Sequence, residues 1–178
     1  LTPGQTLVID VSGFLFYVLR HFDTSKTIRM GNYGELHKVL VEEIELIRSC
    51  NLGVICVFDG PSKMKTRISE QRDLEREQEW ANLVDICSNC EISSNKSIPL
   101  PPLAFLQLNH TLQSLGVTTF SSPSEADQFI ARICSSMNAK SGKEKYICYG
   151  EDSDFIAMED TPYVMFDDLV IDHRSLTA

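Results

Sequence analysis

Six acidic side chains lie at or just after the ends of predicted strands, and their types and positions are those of a divalent-metal site. They come from four segments that are far apart in the chain: Asp10, Asp59, Glu125, Asp127, Asp152 and Asp154. Carboxylates packed together repel one another unless protons or cations neutralise them. Oxygen-rich clusters suit Mg²⁺ or Mn²⁺, and two such ions can activate a water and stabilise the leaving oxygen of a phosphodiester. The set therefore predicts a divalent-metal site.

Each acid also has a simpler explanation when it is taken alone. An Asp that follows a strand is commonly a turn residue or a helix cap. Glu125, in the first turn of a helix, would be favoured by the helix dipole without any metal. Glu125 and Asp127 are two residues apart, so a regular helix would point them in different directions. Both face one site only if Glu125 lies in an irregular first turn, which Pro123 favours. The recurrence of acids in four segments favours the metal site over these alternatives.

Five short apolar runs predict the strands that position the acids, at residues 6–11, 54–58, 117–120, 146–149 and 163–166. Continuous runs of this kind are typical of strands that are buried on both faces. Helical patterns alternate with them, at residues 14–21, 35–50, 103–115 and 124–137, and a short helix is predicted at 155–158. The alternation predicts an α/β sandwich with a mostly parallel sheet. Ligands of such sheets bind outside the carboxyl ends of the strands, which is where the acids fall.

A charged stretch interrupts the alternation. Residues 63–79 leave little apolar face, so a helix there is either fully solvated or projects away from the core. Residues 88–102 are polar and then contain prolines, which predicts a loop.

Composition allows an ordinary globular protein of 178 residues, and we expect a single domain over residues 1–178. No apolar run reaches the roughly 18 residues of a membrane span, so no membrane partner is predicted. The net charge of −9 argues against a protein that coats nucleic acid non-specifically, because such binding depends on Lys and Arg. Leaving out the six acids changes −9 to −3, so charge alone does not decide the question.

The six cysteines predict an intracellular protein with reduced thiols. Cys87 and Cys90 form a Cys-x-x-Cys pair, but no second pair stands at zinc-binding distance, so the zinc or redox interpretation is weak.

The acidic segments resemble those of the XPG/flap endonuclease superfamily of PIN-like nucleases, in the same order along the chain. The segments are Val8-Ile9-Asp10, Val57-Phe58-Asp59-Gly60, Pro123-Ser124-Glu125-Ala126-Asp127 and Glu151-Asp152-Ser153-Asp154. The stretch Gly31-Asn32-Tyr33-Gly34-Glu35 and the helix after it look most like the asteroid branch.

This resemblance implies a PIN-like, 5′-nuclease-like three-layer sandwich with a helical arch-like insertion at about residues 63–102. It implies that one metal is held by Asp10, Asp59, Glu125 and Asp152. A second metal is implied at Asp127 and Asp154. Lys65 and Arg72 resemble the basic pair that reaches the scissile phosphate. The alternative interpretation of Lys65 and Arg72 is that they lie on a solvated helix and form ion pairs along its surface.

The function implied is a structure-selective endonuclease or exonuclease that uses two Mg²⁺ or Mn²⁺ ions. Its substrate would be DNA rather than RNA, in the form of flaps, overhangs or branched ends. Action in the nucleus, in DNA repair, and protein partners at the arch-like region follow from the same resemblance. The family's amino-terminal glycine segment and its helix–hairpin–helix region have no counterpart in these residues. Nothing in the context of Asp167, Asp168 or Asp172 marks one of them as a replacement for the further metal-binding Asp of that region.

Two other functions remain open. The first is a PIN-like scaffold, weakly active or inactive, that binds RNA or protein partners in post-transcriptional regulation. The second is a phosphotransfer enzyme, which would need a nucleophilic Asp closely followed by a second acid or Thr. The run Asp10-Val11-Ser12-Gly13 does not supply that arrangement.

Overall fold

The computed structural model describes residues 1–20, 31–60, 71, 74–75, 77–78, 80–81, 100–158 and 160–169. The strands are β1 (Thr6–Asp10), β2 (Gly53–Phe58), β3 (Thr118–Ser121), β4 (Tyr146–Gly150) and β5 (Tyr163–Met165). The helices are α1 (Val11–Arg20), α2 (Tyr33–Ser49), α3 (Ala104–Ser114) and α4 (Ala126–Ser141). Two short 3₁₀ helices follow, η1 (Ser153–Ala157) and η2 (Phe166–Asp168).

The five strands form one sheet in the order β3-β2-β1-β4-β5, and every pairing between them is parallel. The predicted α/β sandwich with a mostly parallel sheet is confirmed. β1 lies in the centre, where Ile9 is level with Cys56 of β2 and Tyr149 of β4. The winding direction reverses between β1 and β4, which is the switch point where ligands of such sheets bind.

Both faces of the sheet are covered, because alternate residues of β1 enter two different cores. Leu7 and Ile9 lie in a large core with α1, α2 and α3. Val8 lies in a smaller core on the other face, with Ile130 and Cys134 of α4. Burial on both faces explains why the strands are continuous apolar runs rather than alternating ones.

Helix α1 begins earlier than predicted. The sequence suggested a strand to residue 11 and a helix from residue 14, but β1 ends at Asp10 and the helix starts at Val11. The reason is that the carboxylate of Asp10 accepts hydrogen bonds from the N–H groups of Ser12 and Gly13, which caps the helix at once.

Other boundaries also differ from the prediction. The helix expected at residues 35–50 begins two residues earlier, at Tyr33, and ends at Ser49. The helix expected at residues 124–137 runs from Ala126 to Ser141 and ends on Gly142, a left-handed cap. The expected helix at 155–158 is the 3₁₀ helix η1. Phe166, expected in the last strand, begins η2 and packs against Tyr17 and Tyr149.

The charged stretch is described in part. All of its described residues between 71 and 81 are helical, and all of them except Trp80 are exposed. Leu74 is 58% exposed, in line with a helix that lies apart from the core. Lys65, Arg72 and the remainder of the predicted arch-like insertion lie outside the described residues.

Two further observations concern predictions from composition. Cys50, Cys56, Cys134 and Cys148 are free thiols, whereas Cys87 and Cys90 lie outside the described residues. Within the described ranges, no helix combines the length and apolar character needed to cross a membrane.

Gly60 holds the ends of β2 and β3 together. Its N–H donates to the carbonyl of Ser124 at 2.8 Å, and the N–H of Ser122 donates to the carbonyl of Phe58 at 2.8 Å. A Cβ on Gly60 would lie 1.8 Å from the carbonyl oxygen of Ser122. Since that oxygen belongs to the backbone, any side chain at position 60 would push the two connections apart.

We therefore expect Gly60→Ala to lower the free energy of unfolding by about 1–3 kcal/mol, the usual cost of forcing extra atoms into a packed position. Urea denaturation measures this change. Gly34→Ala is the matched control, because a Cβ there meets only the side chain of Asn32 at 3.7 Å. That variant should be unchanged or more stable by up to about 1 kcal/mol. Equal stability of the two variants would contradict the close approach at Gly60.

Candidate metal centre

Asp10 is the most enclosed acid of the predicted set, at 9% exposed, and it lies at the end of the central strand. Oδ1 accepts the N–H of Ser12 at 3.1 Å, and Oδ2 accepts the N–H of Gly13 at 2.8 Å. A Cβ on Gly13 would lie 2.6 Å from Oδ2, so glycine at this position leaves room for the carboxylate. Asp10 is thus a helix cap, as the simpler explanation of the sequence expected, but a buried one.

Asp59 joins three elements through its two oxygens. It follows β2, and its Oδ2 accepts the hydroxyl of Ser12 in α1 at 2.7 Å. Its Oδ1 accepts the N–H of Ala126, the first residue of α4, at 2.9 Å. Asp59 therefore caps a helix that begins 67 residues later in the chain.

Asp152 and Asp154 follow β4 in a third cap. Asp152 precedes η1, and its Oδ1 accepts the N–H of Asp154 at 2.9 Å. Both residues are exposed. Asp154 takes part in this cap through its backbone N–H and not through its carboxylate.

Glu125 and Asp127 lie at the start of α4, but Glu125 precedes the helix and is not in its first turn as expected. Glu125 is the residue before the helix, with extended φ and ψ of −69° and 143°, and Asp127 is in the first turn. Glu125 makes no side-chain capping bond, because Asp59 supplies that bond instead. The hydroxyl of Ser122 donates to the carbonyl of Glu125 at 2.9 Å, which fixes the backbone before the helix.

The charges of five of the six acids act on one another. Burial raises the pKa of Asp10, and the carboxylates of Asp59 and Asp152 raise it further, against the lowering effect of the Gly13 and Ser12 N–H groups. The pKa of Asp127 is raised to about 6, first by burial and then by the negative charges of Asp10, Asp152, Asp59 and Glu125. Asp127 also lies in the first turn of α4, where the helix dipole favours negative charge.

The chemistry of this donor set fits a hard divalent cation. The donors are carboxylate oxygens, which Mg²⁺ and Mn²⁺ prefer, and the crowding of their charges is relieved when a cation binds. Each oxygen has two lone pairs, so those engaged by an N–H group keep the capacity to accept a second partner. Within the described part of the chain, however, no three His, Cys, Asp or Glu side chains are close enough together to hold one ion. The donors suit a metal in their chemical type and in their location at the carboxyl edge of the sheet. Among the described residues they lie too far apart to coordinate one ion together.

Two participants at this edge carry no signal in the sequence. Ser12 contacts Asp59 across 47 residues, and no local pattern relates the two. Arg20, at the end of α1, forms an ion pair with Glu151, next to Asp152. A basic residue in the last turn of a helix is ordinarily explained by the helix dipole.

Comparison with known proteins identifies the fold. No protein-family model matches the chain, and no curated protein matches it. Among solved structures it is similar to the catalytic core of Rad2 in complex with DNA substrate, with a TM-score of 0.56 and 14% identity. A second Rad2–DNA complex gives a TM-score of 0.52 and 15% identity. Human GEN1 in complex with Holliday junction DNA gives 0.47 and 12%, a likeness too distant to support an argument.

The similarity extends over nearly all of this chain but over less than half of each Rad2 chain. It covers 96% and 92% of the chain in the two Rad2 comparisons, and 45% and 41% of the Rad2 chains. The chain therefore spans less than half the length of those proteins. It has the PIN-like fold of XPG-type nuclease cores, as the resemblance in its sequence implied.

The crowding of acids predicts a pH-dependent stability in metal-free protein. Because the pKa of Asp127 is raised in the folded state, its carboxylate stabilises the fold only while protonated, and that stabilisation is lost as the pH rises from about 4 through about 6. Asp127→Asn carries no such charge. We expect it to melt at a higher temperature than the wild type above pH 6 in the presence of a chelator, with the difference vanishing near pH 4.

Asp160→Asn is the control for that measurement. Asp160 is exposed, and its φ of 55° is one that Asn tolerates well. Its melting temperature should follow that of the wild type at every pH. A metal-free Asp127→Asn protein no more stable than the wild type at pH 7.5 would contradict the repulsion.

Proposed function

We propose that this chain is the core of a divalent-metal-dependent nuclease that hydrolyses phosphodiester bonds in DNA. The observation that carries the proposal is the meeting of acids from four segments at the carboxyl edge of a parallel sheet. Burial first, and then the negative charges of Asp10, Asp152, Asp59 and Glu125, raise the pKa of Asp127 to about 6. Side chains that served only as caps would not need to be crowded against one another, because each cap requires a single acceptor.

In this proposal the carboxylates have separate tasks. Asp10, Asp59, Glu125 and Asp152 hold one ion, and Asp127 and Asp154 contribute to the second. The carboxylates of Asp10 and Asp152 each accept a backbone N–H, and the carboxylate of Asp59 accepts a hydroxyl and a backbone N–H. These hydrogen bonds fix the directions of the three side chains. When bound, two divalent ions supply the charge that activates a water and stabilises the leaving oxygen. Burial of Asp10 strengthens the electrostatic interactions of its own carboxylate.

The comparisons bear on the substrate by analogy. Rad2 was solved with DNA substrate, which supports DNA rather than RNA and a preference for flaps, overhangs or branched ends. Lys65 and Arg72 would contact the scissile phosphate. Membership of the asteroid branch, nuclear location, a role in DNA repair and protein partners at residues 63–102 belong to the same proposal.

A second candidate function is a PIN-like scaffold that binds RNA or protein without efficient catalysis. The observation that favours it is the separation of the acids: within the described residues, no three potential ligands are gathered closely enough for one ion. Three of the acids also have complete capping roles, at α1, α4 and η1.

A nuclease assay on the purified chain distinguishes these functions. The substrates are 5′ flap, 3′ flap, overhang and splayed DNA, with single-stranded RNA alongside, in Mn²⁺ and then in Mg²⁺. Asp152→Asn is the preferred variant, because an Asn oxygen can still accept the N–H of Asp154 and keep the cap. Asp10→Asn is less clean, since both of its oxygens accept N–H groups. We expect each to lower the cleavage rate by more than the roughly 10–100-fold typical of losing an outer-shell partner.

Glu144→Gln is the matched control. Glu144 is an exposed acid two residues before β4, at the opposite edge of the sheet, and its substitution should leave cleavage unchanged. Cleavage that survives both Asp variants would refute the assignment. A wild-type protein that binds nucleic acid but cleaves none of the substrates would favour the scaffold, and cleavage of RNA alone would overturn the choice of DNA.

A further inference from the structure

Two cysteine side chains are in contact inside the smaller core of the protein. Cys134 lies on α4 and Cys148 on β4, and the thiol of Cys148 donates to the sulfur of Cys134 across 3.4 Å. Both residues are fully buried, among Val8, Ile130 and Phe155. The sulfurs of a disulfide are about 2.05 Å apart, so these two need to approach by only roughly 1.4 Å to be joined.

A single buried cysteine has an ordinary structural explanation, in which the thiol fills a small apolar space and stays inert. Cys56 fits that explanation, since it is equally buried in the larger core. Cys134 and Cys148 differ from it because their sulfurs face each other between a helix and a strand. Filling space does not require this arrangement, and it places two oxidisable atoms in contact.

The sequence of α4 around the pair favours local opening of this part of the helix. Four of the five residues from Cys134 to Asn138 are Cys, Ser, Ser and Asn, which have low helix propensity. Ser136, Met137 and Ala139 are exposed to solvent. Segments with few buried contacts open at a lower free energy than the whole fold. A reagent close to water in size can therefore reach the sulfurs without global unfolding.

We propose that Cys134 and Cys148 form a redox-sensitive pair, which hydrogen peroxide converts into a reversible disulfide between α4 and β4. In reducing compartments, disulfides are usually transient bonds of this kind. The inference is independent of the proposed nuclease function, because it requires neither a metal ion nor nucleic acid.

The oxidation takes place in two steps. One cysteine loses its proton, and the thiolate attacks an oxygen of hydrogen peroxide, so that an S–O bond forms and the O–O bond breaks. The hydroxide that leaves takes up the proton and becomes water. The sulfur of the second cysteine then attacks the sulfenic sulfur, which forms the S–S bond and breaks the S–O bond. The second thiol proton leaves with that oxygen as another water. Two thiols are thus oxidised by two electrons, and one peroxide is reduced to two waters.

We expect this reaction to be slow in the folded protein. The hydrogen bond to Cys134, and then burial, raise the pKa of the Cys148 thiol. The thiolate is the form that reacts with peroxide, so a raised pKa lowers the reactive fraction.

The bond would also stabilise the fold. The two cysteines are 14 positions apart. In the chain-entropy account, closing a loop of about this length restricts the unfolded chain enough to raise the melting temperature by about 5–10 °C for a protein of this size.

The test treats the reduced, folded chain with hydrogen peroxide, removes the peroxide with catalase, and alkylates the remaining thiols in denaturant. Trypsin then cuts after Arg132, Lys140, Lys145 and Arg174, which places the two cysteines in separate peptides, 133–140 and 146–174. We expect mass spectrometry to find these peptides joined, with two hydrogen atoms fewer than the free pair. Dithiothreitol should separate them, and the oxidised protein should melt at the higher temperature.

Cys56→Ala is the matched control, because it removes an equally buried thiol from the other core. Peroxide should still join the two peptides in that variant and should raise its melting temperature. Cys134→Ala should lose both effects, and the peptide map of the wild type decides the matter if this variant fails to fold. Peptides that remain separate in the folded wild type, or that join only in urea, would overturn the inference. So would a joined protein that melts no higher than the reduced one.

Discussion

Negative charge gathered at one edge of the sheet is the constraint on which the rest of the site depends. The starts of helices stabilise this negative charge, because each presents N–H groups that lack partners within the helix. Asp10, Asp59 and Asp152 each accept such a group, at the starts of α1, α4 and η1. The same bonds that terminate three strands and begin three helices therefore hold three like charges near one another. These bonds do not remove all of the repulsion: after burial, the negative charges of the neighbouring acids raise the pKa of Asp127.

The sheet order makes this gathering possible. β1 lies between β2 and β4, so the residues that end the three central strands come from the beginning, the first third and the last part of the chain. The tight connection at Gly60 then brings the segment before α4 against the end of β2. A parallel sheet with a central first strand thus converts four distant short motifs into one surface, and the close approach of Gly60 to Ser122 requires glycine at position 60.

The sequence predicted the strands well because each is a continuous apolar run. It placed the start of α1 three residues late, because it could not show that the carboxylate of Asp10 folds back onto Ser12 and Gly13. It assigned Glu125 to the first turn of α4, whereas Asp59 takes the capping role from a distance of 67 residues. Contacts of that kind depend on tertiary structure, so they cannot be predicted from the periodicity or the local propensities of the sequence.

The central position of β1 also has a consequence for synthesis of the chain on the ribosome. Thr6 of β1 pairs with Tyr146 of β4, so one side of the first strand waits for a partner made 140 residues later. At typical translation rates of about 5–20 residues per second, that interval lasts about 7–28 s. During it the backbone groups on that side of β1 are open to pairing with other chains, a recognised hazard of exposed strand edges. The central strand, which is best protected in the finished protein, is therefore among the most vulnerable parts of the nascent one.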